Sequence, residues 1–328
     1  CTVVSQQSNA SDKLAKPTEY LFERVNCYGC GSNTSKLFLI GQDDYTGKTG
    51  NFKYMQCDNC HLVYQNPRIS IDQIKYFYDE EYIAHRKTKD WGILTPIYNW
   101  TMSKLDRKKH KIVKQYTALN HKIQVLDVGC AVGTFLTFLR KHYKCEVSGV
   151  DFADLANYPG MEDINFYNGL FYDQDFTGKK FDLITMWHFL EHDYDPIRTL
   201  KLSESLLTTE GRLIIEVPRL DSLTFKLFRN RWPGVQAPQH TVLFDESHIR
   251  AFVEKANLQI IDHLAYGAFP AYFYIYAGFA FTRLKGKGLN IRQEMLPYFA
   301  GQLLLAPFLL FENYLNLSMQ TIICRKKG

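Results

Sequence analysis

The stretch VLDVGCAVGTFLTFL, residues 125–139, has the pattern of a buried strand, a tight turn of small residues and an amphipathic helix. In α/β proteins such a turn forms a ligand cradle, because the backbone N–H groups and the helix N-terminus point at the ligand. Asp127 stands where the strand ends, so it would repel a pyrophosphate and would tolerate a cationic ligand. Gly129, Ala131 and Gly133 let the backbone approach that ligand closely. The alternative interpretation is an ordinary strand-to-helix corner of another α/β protein.

The sequence after the turn favours the ligand cradle. A helix is predicted over Thr134–Tyr143, and the next apolar strand ends at Asp151. An acid about 20 residues past a glycine turn commonly binds the hydroxyls of a ribose. Phe152, beside it, is placed to lie against an adenine ring, although a Phe after a strand is also typical of the core.

The turn resembles the first motif of the class I S-adenosylmethionine (SAM) dependent methyltransferases, an acid followed by spaced glycines. Ala131 stands where the middle glycine of that motif is usual, a mild departure. The resemblance implies an α/β fold with a seven-stranded, Rossmann-like sheet, and SAM as the cofactor. It also implies that the loop after the third strand, at Gly169 and Leu170, contacts the adenine edge.

The stretch FDLITMWHFLEHDYDP, residues 181–196, predicts a fourth strand with polar residues at its carboxyl end. It resembles a signature of methyltransferases that act on quinone precursors and on sugars. The resemblance implies that Met186 and Trp187 pass close to the methionine half of the cofactor. His188 and His192 are candidate general bases, because a histidine near the methyl donor can take the proton of the acceptor. For His192 the alternative is a structural role at a helix end or in the core.

A third histidine follows in the long connection between Arg219 and Asp245. Connections of this length inside a compact domain are usually functional. The segment resembles the PxHxxxF segment of sugar-modifying methyltransferases, in which the histidine faces the acceptor, and this makes His240 another candidate base. Some sugar C-methylating relatives place a glutamate directly before that histidine. This chain has Gln239 there, which weakens the expectation of a paired Glu–His site.

Two C-x2-C pairs precede the methyltransferase-like region. Cys27 and Cys30 are followed after 26 residues by Cys57 and Cys60. This spacing is typical of four thiolates on one Zn²⁺ in a small ribbon, and an all-thiolate site is closed and therefore structural. About 50 residues cannot build a sufficient core alone, so we expect the metal to support folding. A pair of disulfides is the alternative, and it would require an oxidising compartment.

Aromatic side chains and a basic run fill the segment that joins the two regions. Tyr76, Tyr78 and Tyr82 resemble a stretch that covers the acceptor site in related sugar methyltransferases, and packing between the two regions is the alternative. The basic run 106–111 has a helical pattern and is interpreted as a solvated helix face. The aromatic residues are Tyr76, Phe77, Tyr78, Tyr82, Trp91, Tyr98 and Trp100.

The region before the last predicted strand departs from an ordinary methyltransferase. Residues 264–282 and 297–311 are two uncharged, aromatic-rich or leucine-rich runs, and a basic segment separates them. Glycines and prolines interrupt both runs, so they are marginal as membrane spans. We expect a helical hairpin over 269–317 that covers the active site and contacts a membrane surface. The alternatives are a homodimer interface and an extra core layer.

Together these features predict an α/β methyltransferase of 328 residues with an N-terminal four-Cys zinc ribbon. The expected acceptor is a sugar of a nucleotide-linked or lipid-linked glycoconjugate, methylated on oxygen or carbon, in the cytoplasm or at the inner face of its membrane. The alternatives are an RNA methyltransferase and a SAM-binding assembly partner without turnover. A net charge of +5 is too mild to indicate nucleic acid. The predicted units are a disordered or expression-derived stretch 1–19, the zinc ribbon 20–67, a helical linker 68–119 and the catalytic domain 120–328.

Overall fold

The computed structural model describes residues 20–78 and 95–328. The predictions made for 1–19, for the middle of the linker and for Tyr82 and Trp91 lie outside the described residues. The boundaries drawn between the four units stay predictions.

The N-terminal region forms two small antiparallel sheets. In the larger one β2 pairs with β3 and β3 with β4, so that Ser35 lies opposite Cys57. A short strand from the catalytic region, β11, adds to the free edge of β4 and places Val242 opposite Tyr64. The elements of the region are β1 (Phe22–Glu23), β2 (Ser35–Gly41), β3 (Phe52–Cys57), β4 (Val63–Gln65), β5 (Arg68–Ile69) and α1 (Ile71–Ile74), and the added strand β11 is Val242–Leu243.

The catalytic region is a seven-stranded sheet flanked by helices, in the strand order β12-β13-β10-β9-β6-β7-β8. The pairs among β6 to β10 are parallel, and β13 runs antiparallel to both of its neighbours. This confirms the predicted seven-stranded α/β sheet. Its elements are α2 (Thr95–Tyr116), β6 (Gln124–Val128), α3 (Thr134–Tyr143), β7 (Glu146–Asp151), β8 (Asn165–Asn168), β9 (Phe181–Trp187), α4 (Pro196–Leu206), β10 (Leu207–Pro218), α5 (Leu223–Phe228), α6 (Glu246–Lys255), β12 (Leu258–Leu264), α7 (Ala271–Leu284), α8 (Ile291–Leu309) and β13 (Met319–Lys326).

The central strands are buried on both faces, as their near-continuous apolar sequence predicts. Helix α3 begins after Gly133 and buries Phe135, Leu136 and Leu139 against the sheet, and its bounds match the sequence prediction. Because parallel strands end at the same edge, the residues that close β6, β7 and β9 meet there. That edge carries the predicted ligand cradle.

The N-terminal region and the catalytic region share one hydrophobic core. Cys27, Cys57 and Leu62 lie in the same buried cluster as Phe244 and Phe252 of the catalytic region. The four-Cys region is therefore packed into the catalytic region and is not tethered to it by the linker alone.

The insertion between the last two strands is a helical hairpin of α7 and α8, as predicted. The inner helix, α7, buries Tyr274 and Phe281 against the N-terminal region and α5, and its Tyr272 packs against Tyr298 of α8. The outer helix, α8, contains Pro297 and Pro307. Within the described ranges, none of the helices combines the length and the apolarity that a bilayer span requires.

Candidate active site

The turn between β6 and α3 has the backbone of a ligand cradle. Gly129, Ala131 and Gly133 all have positive φ, at 76°, 47° and 63°. A Cβ at Gly133 would approach the Sδ atom of Met161 to 2.6 Å, so glycine is required there. Ala131 adopts the left-handed backbone conformation although it has a side chain. The turn therefore keeps the shape of the motif with alanine in place of the middle glycine.

Asp151 holds this turn in place. Its Oδ2 accepts the N–H of Ala131 at 2.9 Å and its Oδ1 accepts the N–H of Ala153 at 3.0 Å. A carboxylate oxygen can accept more than one hydrogen bond, so the same group is suited to ribose hydroxyls. Gly169 donates its N–H to the carbonyl of Asp151 at 2.9 Å, which brings the loop that is predicted to contact the adenine beside the half-buried Phe152. Leu170 follows in that loop.

Asp127 lies buried beneath the turn, where Thr185 donates its hydroxyl to the carboxylate at 2.6 Å. Burial raises the pKa of Asp127 to about 6, against the opposing pull of the Lys109 ammonium. Lys109 lies on α2, inside the run that the sequence analysis interpreted as a solvated face. Asp106, in the same run, is buried and accepts the hydroxyl of Thr134 at 3.4 Å. One side of this helix is thus part of the site, contrary to that interpretation.

The two strand-end residues assigned to the methionine half face opposite sides of the sheet. Trp187 packs edge-on against Phe135 with ring centroids 5.7 Å apart, and the Lys109 ammonium lies 5.3 Å from its ring. Its Nε1 is buried and makes no hydrogen bond within the described residues. Met186 is fully buried in the core on the other face, so only its backbone is near the cradle.

His188 lies on the side of the site where the acceptor is predicted to bind. Its φ of 56° is unusual for a residue with a side chain, and such backbone strain is concentrated at functional sites. Its Nε2 lies 3.1 Å from Oε1 of Glu216, which also accepts the N–H groups of Ala268 and Phe269. Burial lowers the pKa of His188, but Glu191 and Glu216 outweigh that effect and raise it to about 9. The ring is therefore cationic at neutral pH.

Glu191, His192 and His240 form a second group, here called the carboxylate–histidine cluster. The rings of His192 and His240 lie 4.4 Å apart, and Nε2 of His240 lies 3.9 Å from Oε1 of Glu191. Burial lowers the pKa of His192, and burial together with the neighbouring His192 lowers that of His240 further. Both shifts favour the neutral form of the imidazoles. The structure thus brings the three predicted histidines to one edge of the sheet.

Tyr78 connects the cofactor side to this cluster. Its ring packs edge-on against Phe152 at 4.8 Å, and its hydroxyl lies 2.8 Å from Nδ1 of His192. Tyr76, in contrast, packs against Tyr20 and Phe77 in the N-terminal region. Of these two predicted acceptor-site tyrosines, the described contacts bring only Tyr78 to the cleft.

Gln239 does not take the place of the acid found in some relatives. Its Nε2 donates to the carbonyl of Phe77 at 3.1 Å. The carboxylate beside His240 comes from Glu191, 49 positions earlier in the chain. Glu191 belongs to the LEH part of the stretch 181–196 that resembles the methyltransferase signature. The sequence contained no signal that its side chain would face a histidine so far away in the chain.

The four cysteines converge as their spacing predicts. Their Sγ atoms all lie within 4.8 Å of one another, with Cys27 and Cys60 at 3.4 Å and Cys30 and Cys57 at 3.5 Å. Four thiolates on one tetrahedral ion, each about 2.3 Å from it, require separations of this size. The donor set fits a closed, structural metal site.

Comparisons with known proteins place a methyltransferase domain over the same residues. A family model for the methyltransferase domain matches residues 101–263. Similar solved structures include a sarcosine dimethylglycine methyltransferase, so named, from Galdieria sulphuraria, 14% identical over 67% of this chain and 84% of that chain at a TM-score of 0.46. The CcbJ methyltransferase from Streptomyces caelestis is 10% identical over 68% of this chain and 95% of that chain at a TM-score of 0.44. No functionally curated protein matches the sequence.

The family match and the cradle geometry identify the activity, and neither identifies the acceptor. The matched residues run from α2 to the end of β12 and contain the glycine turn, Asp151 and the histidines. The chain carries a class I SAM-dependent methyltransferase domain and is a SAM-dependent methyltransferase.

Proposed function

We propose that this enzyme methylates a hydroxyl oxygen or a ring carbon of a sugar in a nucleotide-linked or lipid-linked glycoconjugate. The observation that carries the proposal is the position of Tyr78, whose ring touches Phe152 on the cofactor side and whose hydroxyl reaches His192 on the acceptor side. An acceptor bound between the cofactor side and the carboxylate–histidine cluster would meet hydroxyl, imidazole and carboxylate groups. Such groups suit a ligand that is rich in hydroxyls. The sequence resemblance to sugar-modifying methyltransferases supports the same class.

The residues of the site would bind, orient and deprotonate. SAM supplies an electrophilic methyl group. With SAM bound, the acceptor oxygen would form a bond to the methyl carbon as the C–S bond breaks, and S-adenosylhomocysteine would be the leaving group. The acceptor proton is lost at the carboxylate–histidine cluster, and Tyr78 holds the acceptor in line.

The four-Cys site supports this role as a structural Zn²⁺ site. Its ligands are all thiolates, which leaves no open position for substrate. Strand β4 of the four-Cys region pairs with β11, and this pairing holds the segment that carries His240.

The exposed apolar side chains on the outer face of α8 are evidence for an acceptor that is anchored in lipid. A stripe along the helix and its extension exposes Leu296, Leu303, Leu304 and Tyr314 by 81%, 77%, 80% and 85%. The spacing of Leu296, Leu303 and Leu304 puts them on one side of α8, and such a patch marks an interaction surface.

Cations flank both ends of this stripe. Arg283 pairs with Glu294 near the start of α8, and Lys108 pairs with Glu312 just beyond its end. Lys104 lies 3.5 Å from the centre of the half-exposed Trp100 ring on the neighbouring helix. Apolar side chains between cations and interfacial aromatics match an anionic membrane surface, and we propose the inner face of the cytoplasmic membrane.

The test is methyl transfer from labelled SAM by the purified full-length chain to a glycolipid extract and to nucleotide sugars, with mass spectrometry of the products. We expect a sugar heavier by one methyl group and an equal amount of S-adenosylhomocysteine. His192→Ala should lower turnover about 10²-fold or more while SAM affinity stays within a few-fold. His263→Ala, a histidine outside the site, should keep turnover.

Two outcomes would contradict the proposal. Methylation of RNA with a steep salt dependence would replace the sugar by nucleic acid. Binding of SAM with no methylated product from any sugar fraction would make the chain an assembly partner.

A further inference from the structure

We propose that Glu191, His192 and His240 bind a divalent transition-metal ion, at a site separate from the four cysteines. The first observation is the state of the Glu191 carboxylate. Its side chain is 2% exposed, and neither of its oxygens has a hydrogen bond within the described residues, although the ring of His188 lies 3.5 Å from Oε1. A buried carboxylate without hydrogen bonds is costly, and buried charges are usually paired or coordinate metals.

The second observation is the orientation of the two imidazoles. Nδ1 of His240 lies 2.7 Å from the carbonyl of Gly234, and Nδ1 of His192 lies 3.1 Å from that of Gln239. A carbonyl can only accept, so Nδ1 of His240 carries the hydrogen and its Nε2 carries the lone pair. Nδ1 of His192 also lies 2.8 Å from the Tyr78 hydroxyl, and when this nitrogen donates to Gln239 the hydroxyl oxygen accepts and Nε2 of His192 carries the lone pair as well. A ring nitrogen that donates to a backbone carbonyl is the usual partner of a metal-bound histidine.

The third observation is the convergence of the three groups. One ligand atom from each of Glu191, His192 and His240 lies within 4.8 Å of the others. Ligand atoms about 2.1 Å from a common ion lie about 3 to 4 Å apart, so small side-chain rotations close the site. The Glu191 backbone is already tied to the same region, because its carbonyl accepts the N–H of Thr241 at 2.8 Å.

The donor set indicates which ions fit. Two imidazoles and one carboxylate suit Zn²⁺, Fe²⁺, Co²⁺ or Ni²⁺, whereas Mg²⁺ and Ca²⁺ prefer all-oxygen ligands. Three protein ligands leave coordination positions open, in contrast to the closed four-Cys site. This inference deepens the proposed function and rests on it for its catalytic meaning: the ion would hold an acceptor oxygen beside the methyl donor and make its proton more acidic.

The competing explanation is that Glu191 only balances the charge of His188. Nδ1 of that ring lies 3.5 Å from Oε1 of Glu191. In that case His192 and His240 would bind no ion. The two explanations differ in the number of metal ions bound per chain.

The experiment measures metal content and spectra of the full-length chain, loaded with Zn²⁺ or Co²⁺ and freed of excess ion. We expect two ions per chain in the wild type and one in Glu191→Gln and in His192→Ala. With Co²⁺, the ion lost in these variants should be the one without thiolate-to-metal absorption in the near ultraviolet. Glu191→Gln keeps the side-chain shape, so its melting curve shows whether a lost ion reflects a lost fold.

His263→Ala is the matched histidine control, and it should keep both ions. One ion per chain in the wild type, unchanged in Glu191→Gln and His192→Ala, would overturn the metal site and leave Glu191 as the counter-ion of His188. A chain that binds the second ion but methylates no sugar would overturn the proposed function and not the metal site.

Discussion

The two halves of the cleft are built in different ways. The predicted cofactor half is centred on consecutive residues, 127–133, whose backbone is fixed by Asp151. The acceptor half consists of side chains from separate segments, with Tyr78 before α2, Glu191 after β9 and His240 next to β11. The cofactor half therefore depends on local backbone conformation, whereas the acceptor half depends on tertiary packing.

The acceptor half depends in particular on the four-Cys region. Tyr54 donates its hydroxyl to the carbonyl of His240 at 2.7 Å, and Gln65 donates to the carbonyl of Pro238 at 3.2 Å. Both donors are fully buried on strands of the four-Cys sheet. A metal ion held by the cysteines would thus stabilise the position of His240 from a distance.

The largest expected effect follows from this dependence. Cys57→Ser removes a thiolate from the metal site, and structural zinc supplies much of the folding free energy of small metal-bound units. We expect a large fall in the melting temperature, since Cys57 lies in the core that both regions share. At temperatures where the variant stays folded, turnover should fall much more than SAM affinity. Calorimetry and SAM titration measure the two effects.

Cys145→Ser is the matched control, because Cys145 is buried at the start of β7 and lies outside the cluster. It should retain the metal ion and most of its turnover. If Cys57→Ser weakened SAM binding as strongly as turnover, the two halves of the cleft would not be separable.

The next effect concerns the charge in the cofactor half. Asp127→Asn should weaken SAM binding about tenfold at pH 8, since the neutral amide no longer attracts the cationic ligand. The pKa of Asp127 is raised from its ordinary value of 3.8 to about 6. Wild-type affinity should therefore be constant above about pH 7 and fall as the pH drops below about 6.

The same shift predicts the opposite effect on stability. An acid whose pKa is raised on folding costs stability as the pH rises through the window between 3.8 and about 6. Asp127→Asn should therefore raise the melting temperature of the ligand-free protein at neutral pH. An equal dependence of SAM affinity on pH in wild type and variant would assign the titration to another group.

The sequence predicted the parts of the molecule that local patterns determine. The bounds of α3 are as expected, because small-residue turns and apolar periodicity act over a few residues. The C-x2-C pairs predicted the metal cluster, because the spacing itself encodes the ligand geometry.

Contacts between distant segments escaped the sequence analysis. The pairing of Val242 with Tyr64, which joins the two regions, leaves no local trace. The role of Lys109 could have been found, because helical spacing places Asp106 and Lys109 on the same side as the buried Val113. A lone acid within a basic run was the signal.

A smaller effect is expected on the outer face of α8. The double substitution Leu303→Glu and Leu304→Glu should abolish binding to vesicles that contain anionic lipid, by adding charge to the apolar stripe. Turnover on a water-soluble acceptor and the melting temperature should hardly change, since both side chains are exposed. Vesicle flotation measures binding. A wild-type chain that does not float with the vesicles would exclude membrane contact by this face, and a concentration-dependent dimer lost in the variant would assign it to a homodimer.

The smallest effect tests whether the cofactor half depends on backbone alone. Ala131 has a φ of 47°, a conformation that costs a residue with a side chain about 1 to 2 kcal/mol, whereas glycine adopts it without strain. Ala131→Gly should therefore raise the free energy of unfolding by up to about 1 kcal/mol, because the greater entropy of glycine in the unfolded chain offsets part of the relief. Ala153 is the matched control, since it also donates its N–H to Asp151 and lacks a positive φ. Ala153→Gly should lower the stability, and both variants should keep SAM affinity within about twofold. If Ala131→Gly and Ala153→Gly changed the free energy of unfolding in the same direction, relief of backbone strain would not explain the effect at Ala131.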